Sequence, residues 1–422
     1  MRRHGIYFNV PFEDNAPTKI ICISHLFLLI TIAALGQTDR AFDNIPFDQW
    51  LKGGHDAKID WSLSVDPPVL TELQRLRISV VATVEGSTVA KWQDPGQMVF
   101  FLEVRDRQNR IYRTHLPLTL PGGADPAAGG DWREYVCMLA GDYDISAAVY
   151  DTATEEHSLR RAKLRVPELH HDPLPDAWSR LPTMENGGQA CYDSQISLPL
   201  KTKNPVQIDL IVNTPVDPDT SIAARIRVIS EIKVGNGSMT AIGLDLANRK
   251  VSTHSVVGGL DEMSILGPLS KDSQYMVDMH VLDLDKERLQ FFLSEIRRRV
   301  ELAVPGTKRV LIILSDRRSV AKGTELEPIQ ATPAAGTRVY YVRCNPIPTT
   351  WLPGFGRSRA TIILIPGANA ESMPPPPPVS NHVTDSLERM LGPLHPRLFD
   401  VTTAIEFRHA LAAIMNEISQ QK

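Results

Sequence analysis

The sequence predicts two folding units in series, an all-β sandwich followed by an α/β unit with a mostly parallel central sheet, and three observations carry that expectation. The chain has 422 residues, more than one hydrophobic core usually serves before chains divide into domains of roughly 100–200 residues. From Lys58 to Val166 apolar residues recur with period two, the signature of half-buried antiparallel strands. Beyond residue 205 they form continuous runs instead, which belong to strands covered on both faces.

The N-terminal residues read as a targeting segment. Arg2, Arg3 and Lys19 precede the apolar stretch Ile20–Ala34, and Ala34-Leu35-Gly36 ends it with the small residues of a signal-peptidase site. The stretch is shorter than the roughly 20 residues a membrane span needs, so cleavage after residue 36 is expected rather than anchoring. Glu13 and Asp14 depart from a basic leader, which suggests a start codon placed too early. The expected product is exported, with no transmembrane segment in the mature chain, and residues 37–57 read as a linker.

Residues 58–168 supply the sandwich. Ile59, Trp61, Leu63 and Val65 alternate with polar residues, as do Leu76, Ile78, Val80, Ala82 and Val84. Further runs follow at Met98–Arg105, Ile111–Leu120, Trp132–Met138, Gly141–Asp151 and His157–Val166, separated by turn material such as Asp94-Pro95-Gly96. Seven short strands at this spacing suggest an immunoglobulin-like arrangement, and Ala140-Gly141-Asp142-Tyr143 fits its tyrosine corner.

Residues 169–204, with His170-His171-Asp172 and Asn186-Gly187-Gly188, read as a solvated connector. The second unit, 205–422, then sets buried runs at Val206–Val212, Val310–Leu314 and Val339–Val342 between helical stripes. Ser221 opens a helix with Ile222, Ile226, Ile229 and Ile232 on one face; Asp285 opens another with Leu289, Phe292, Leu293, Ile296, Val300 and Ala303. Thr403-x-x-Glu406 is a capping box before Phe407, Ala410, Leu411, Ile414 and Ile418. Met239–Leu246 and Val251–Val257 suggest a hairpin, and a proline-rich insertion lies near 345–383, with Met373 followed by five prolines as a stiff spacer.

This order of elements, with the phrases Leu210-Ile211-Val212-Asn213 and Leu314-Ser315-Asp316, resembles the von Willebrand factor A-like family. The combination of signal, sandwich and second unit is similar to the A-domain-related proteins of Acidobacteria. The resemblance implies a metal-ion-dependent adhesion site at the carboxyl ends of the strands. The family's Asp-x-Ser-x-Ser falls on Asn213, Pro215 and Asp217, and its later Asp falls on Asp316. Mg²⁺ wants six oxygens. Asn213 brings no charge, Pro215 brings no side-chain oxygen, and Arg317 sets a cation beside Asp316, so the resemblance implies a degenerate site with no metal, Asn213, Asp217 and Asp316 being its weak candidate ligands.

Other chemistry is thinner. A net charge of −4 gives no electrostatic footprint for nucleic acid. Cys137, Cys191 and Cys344 remain once Cys22 leaves with the signal, too few for a disulfide framework, and buried apolar thiols are expected at Cys137 and Cys344. His157, His170, His171 and Asp172 lack helical metal-ligand spacing. Arg297-Arg298-Arg299 fans round a helix with Glu295 and Arg299 paired, a solvated face. Asn236-Gly237-Ser238 reads as a turn. No nucleophile motif or phosphate loop is present. The sequence therefore predicts a non-enzymatic binding or adhesion module for a protein partner, with no cofactor. The alternatives are a metal-dependent hydrolase using Asp217 and Asp316, and a structural subunit of an envelope assembly.

Overall fold

The computed structural model describes residues 40–53, 59–92, 97–119, 129–186, 196–213, 221–246, 249–256, 286–303, 305–316, 327–344 and 386–420. The targeting segment with Cys22, and also Cys191, Pro215, Asp217, Arg317 and the proline-rich run, lie outside the described residues.

The first half holds two antiparallel sheets around one core. Its strands are β1 (Trp61–Val65), β2 (Val69–Leu70), β3 (Leu76–Val84), β4 (Met98–Asp106), β5 (Ile111–Pro117), β6 (Gly130–Met138), β7 (Gly141–Asp151), β8 (His157–Val166) and β9 (Met184–Asn186). One sheet runs β1-β3-β6-β9 with β2 on β3; the other runs β5-β4-β7-β8. The period-two residues meet between them: Ile78, Val80 and Trp132 from the first, Phe100, Leu102, Ile145 and Val149 from the second. Tyr143 closes the corner, its hydroxyl donating to the Leu139 carbonyl at 2.7 Å. Burial pushes that phenol up to about 12.

The expected linker is partly a folded strap. A turn of 3₁₀ helix (Arg40–Asn44) and helix α1 (Phe47–Gly53) cross the outer face of the second sheet. Phe42, Phe47 and Trp50 are buried there against Phe101, Ala148 and Leu159. Trp50 stacks on His157 at 4.2 Å, so this histidine serves packing.

Helix α2 (Gly86–Val89) belongs to the first half. The second half contains β10 (Leu198–Leu200), β11 (Val206–Asn213), α3 (Ser221–Ser230), β12 (Ile232–Val234), β13 (Gly237–Asp245), β14 (Lys250–Val256), α4 (Lys286–Glu301), β15 (Lys308–Asp316), β16 (Thr337–Cys344), α5 (Ser386–Leu391), β17 (Arg397–Val401) and α6 (Ala404–Ser419). A mixed six-stranded sheet runs β14-β13-β11-β15-β16-β17, with β14 antiparallel to β13. Helices α3 and α6 pack on one face of it, α4 and α5 on the other.

The expected fold class, an immunoglobulin-like sandwich followed by a von Willebrand factor A-like α/β unit with a mostly parallel sheet, is corrected. The protein is mostly β, with strands in 44% of the described residues, arranged as several antiparallel sheets and one mixed sheet. Continuous apolar runs report burial on both faces, not a strand-helix alternation. That alternation is not sustained here. Strand β12 follows α3 but leaves the main sheet to pair with β10. Strands β13 and β14 pair antiparallel as neighbours in sequence. The described residues before β16, 327–336, include no helix.

Local chemistry explains several joints. Gly237 has φ +146° where β13 starts, and a Cβ there would lie 1.8 Å from the Val206 carbonyl oxygen, so only glycine fits. Helix α6 has its capping box: Thr403 Oγ1 accepts from the Glu406 N–H, and Glu406 Oε2 accepts from the Thr403 N–H. Cys344 is buried and forms no disulfide, whereas Cys137 is disulfide-bonded, not the buried thiol expected.

Candidate functional site

The resemblance implies a site at the carboxyl ends of the parallel strands. Strands β11 and β15 are parallel neighbours, and their carboxyl ends carry Asn213 and Asp316. Asn213 pairs with Ser315, while Asp316 pairs with Cys344 of β16, so the two candidates stand one position out of register. Their side chains, and Asp217 altogether, fall outside what is described. Among the described residues no group of three or more His, Cys, Asp or Glu could hold a metal ion.

Deeper in the same strands lies a buried ion pair. Asp209, 0% exposed, accepts from Arg309 Nε and Nη2 at 2.9 and 2.6 Å, and from Gln207 Nε2 at 3.2 Å. Arg309 Nη1 donates to the Leu302 carbonyl just past α4. On α4 itself Arg299 is buried against Glu295, and Arg298 and Arg297 extend from the rim, so the arginine run is a solvated face in part only. Burial alone would raise the Glu295 carboxyl, but hydrogen bonds from Arg298 and Arg299 hold it below its usual range.

The densest polar assembly joins the two halves. The turn Thr71–Arg75 leads into β3 with Gln74 in the left-handed region at φ +61°. It presents Glu72 to Arg225 of α3 at 2.9 Å and places Gln74 Nε2 3.0 Å from the Ala404 carbonyl of α6. One turn along α6, Arg408 forks onto Asp172 at 2.6 and 2.8 Å and donates to the Leu174 carbonyl at 2.7 Å. The guanidinium lies 4.3 Å from the Trp178 ring centre, and Trp178 Nε1 donates back to Asp172 at 2.5 Å. Arg225 and Arg408 are both 0% exposed.

The supposed connector is thus structural. Ala177, Leu181, Ile196, Leu198 and Leu200 belong to the core of the second half, Met184 to that of the first, and Trp178 touches both. Asp172 was expected in solvent; its side chain is 11% exposed. Burial would raise its carboxyl, but Arg408, Trp178 and the Leu174 N–H outweigh that and hold it below the usual carboxylate range. Arg75 has less help. Its charge is disfavoured by burial and only partly offset by Glu185 at 3.2 Å.

Sequence reasoning missed Glu72, Gln74, Arg225 and Arg408. The signal was there for the arginines: Arg225 sits three residues after Ile222 and four before Ile229, and Arg408 three before Leu411, inside apolar helix stripes where a cation needs a partner.

A third polar region is open to solvent. Beyond the strap, the outer face of the β5-β4-β7-β8 sheet is charged. Arg113 donates to Glu103 at 2.7 and 2.9 Å and to Asp48 of α1, and Arg107 pairs with Asp142. On β8, Arg161, Lys163 and Arg165 are exposed in alternation with Ala162 and Leu164, which face the core.

These features define a predominantly β protein whose buried ion pairs are built into its structure and whose β8 carries exposed cations on one sheet face. Comparison with protein-family models and with curated proteins finds no match.

Proposed function

We propose that the chain is an exported, non-enzymatic protein-interaction module that binds its partner without a metal or other cofactor. The observation that carries this reading is where the buried ionisable groups go. Asp209 with Arg309, Glu72 with Arg225 and Asp172 with Arg408 are consumed in pairs that hold elements together, and Glu295 with Arg299 in a pair within α4. Catalytic sites instead gather perturbed groups in one cleft. Among the described residues the buried carboxyl raised by desolvation is Glu231, at the α3–β12 joint, where Lys233 Nζ lies 3.9 Å from Oε2 and only partly offsets the burial.

A further point supports the reading. A disulfide at Cys137 suits an oxidising compartment, in keeping with the leader-like N-terminal sequence.

The test uses the full mature chain as bait against envelope extract, with its melting temperature recorded in EDTA and in excess Mg²⁺ or Mn²⁺. A saturable protein partner and coincident melts are expected. A bound metal at 100 times its dissociation constant would add about 2.7 kcal/mol, so a working site would show as a clear rise. Metal-dependent hydrolysis lost in Asp316→Ala would replace this reading with the hydrolase one.

A further inference from the structure

We infer that the stripe Arg161, Lys163 and Arg165 on β8 docks an acidic, extended segment of a partner protein, an inference that rests on the interaction-module reading. These three side chains are exposed and occupy alternate positions of one strand. A strand rises about 3.4 Å per residue, so the cations repeat every ~7 Å. An extended chain with carboxylates at every second residue repeats with the same period. The complementarity is one of spacing as well as sign.

The stripe is neutralised only in part from within, two carboxylates of β7 standing opposite it. Asp144 stands opposite Lys163 in the ladder and Asp142 opposite Arg165, yet Asp142 is taken by Arg107. Arg161 donates to the Leu51 carbonyl of the strap, a contact that leaves its charge uncompensated. Lys163 and Arg165 form no ion pair among the described residues. All this occurs on a chain whose net charge is −4, so the stripe reverses the sign of the molecule locally. Strand β8 also ends its sheet, and charge on an end strand guards against pairing with stray chains. A guard repels uncharged and basic strands alike but leaves an acidic one welcome, so the guard and the docking role make different predictions.

Fluorescence anisotropy on the full chain separates them. The probe is a labelled peptide of alternating Thr and Glu, with its Thr/Gln counterpart as control and polygalacturonate as competitor of another class. Saturable, salt-weakened binding of the Glu peptide is expected, falling roughly tenfold in the double variant Lys163→Gln/Arg165→Gln, whose fold is checked by its melt. Equal binding by the variant, binding of the Gln peptide, or no binding overturns the inference. So does polygalacturonate binding where the peptide does not, which would assign the stripe to polysaccharide. Wild type and double variant are then compared as baits. A partner held equally by both sinks the stripe and leaves the interaction module standing, whereas no saturable partner with either sinks the module itself.

Discussion

Asp172 accepts four hydrogen bonds, from Arg408 twice, from Trp178 and from the Leu174 N–H, and in doing so ties the middle of the chain to its last helix. Removing one partner of a buried pair strands the other, so Asp172→Ala is expected to cost about 3 kcal/mol in urea unfolding. Its folded carboxyl lies below the usual value, so the contribution is present above the unfolded pKa and is lost as pH falls through the folded one. Wild type should therefore lose stability on acidification below about pH 4 more steeply than Asp172→Asn. Glu231 behaves oppositely. Burial raises its carboxyl, so stability is greatest below the unfolded value and falls as pH rises through the folded one. Glu231→Gln should raise the melting temperature at pH 7 and leave it unchanged at pH 4; a fall at pH 7 would show that the pair with Lys233 outweighs the cost of burial. Neither role was legible in the sequence. Asp172 follows two histidines and precedes a proline, which reads as loop, and only the distant Arg408 makes it structural.

At the scale of elements, the strap is held by three aromatic side chains, Phe42, Phe47 and Trp50. Phe47→Ala is expected to free it locally, with trypsin cutting first at Lys52 while the sandwich core keeps its melting temperature within a few degrees. A collapse of the whole fold would show the strap to be part of the core instead. Gly237→Ala is the sharper test of a joint, because it adds both a positive-φ penalty and a clash with Val206; a loss of about 3 kcal/mol or more is expected. Elements with strong periodicity were legible: the strand runs from Leu76 to Val166 follow from alternation, and α6 from its capping box. The strap was not, because three aromatics over nine residues show neither period. The fold class failed for a related reason: apolar runs at 206–212 and 310–314 report that a strand is covered on both faces but not which strands join its sheet. The strand-end site rested on the same resemblance and not on any residue chemistry complete in itself.

For the whole molecule, the decisive question is whether the halves unfold separately. A change of periodicity near residue 200 suggested independent units on an exposed tether, and such units would melt apart. The junction opposes this. Trp178 is packed against both cores, Glu72 and Gln74 reach from the first half into α3 and α6, and Arg408 is closed by Asp172 from the intervening segment. Parting the halves breaks the ties from Glu72 and Gln74 and returns the apolar surface around Trp178 to water, and that loss falls on whichever half remains folded. Coupling of this kind, several kcal/mol across the junction, is comparable to the marginal stability of one domain, so neither half outlives the other. Calorimetry of the full chain is therefore expected to give a single transition whose van't Hoff and calorimetric enthalpies agree. In Arg225→Ala/Arg408→Ala the same scan should split into two, as the halves are uncoupled without loss of either core. Two transitions in the wild type, or one undivided transition at an unchanged temperature in the double variant, would show that the buried arginines do not join the halves.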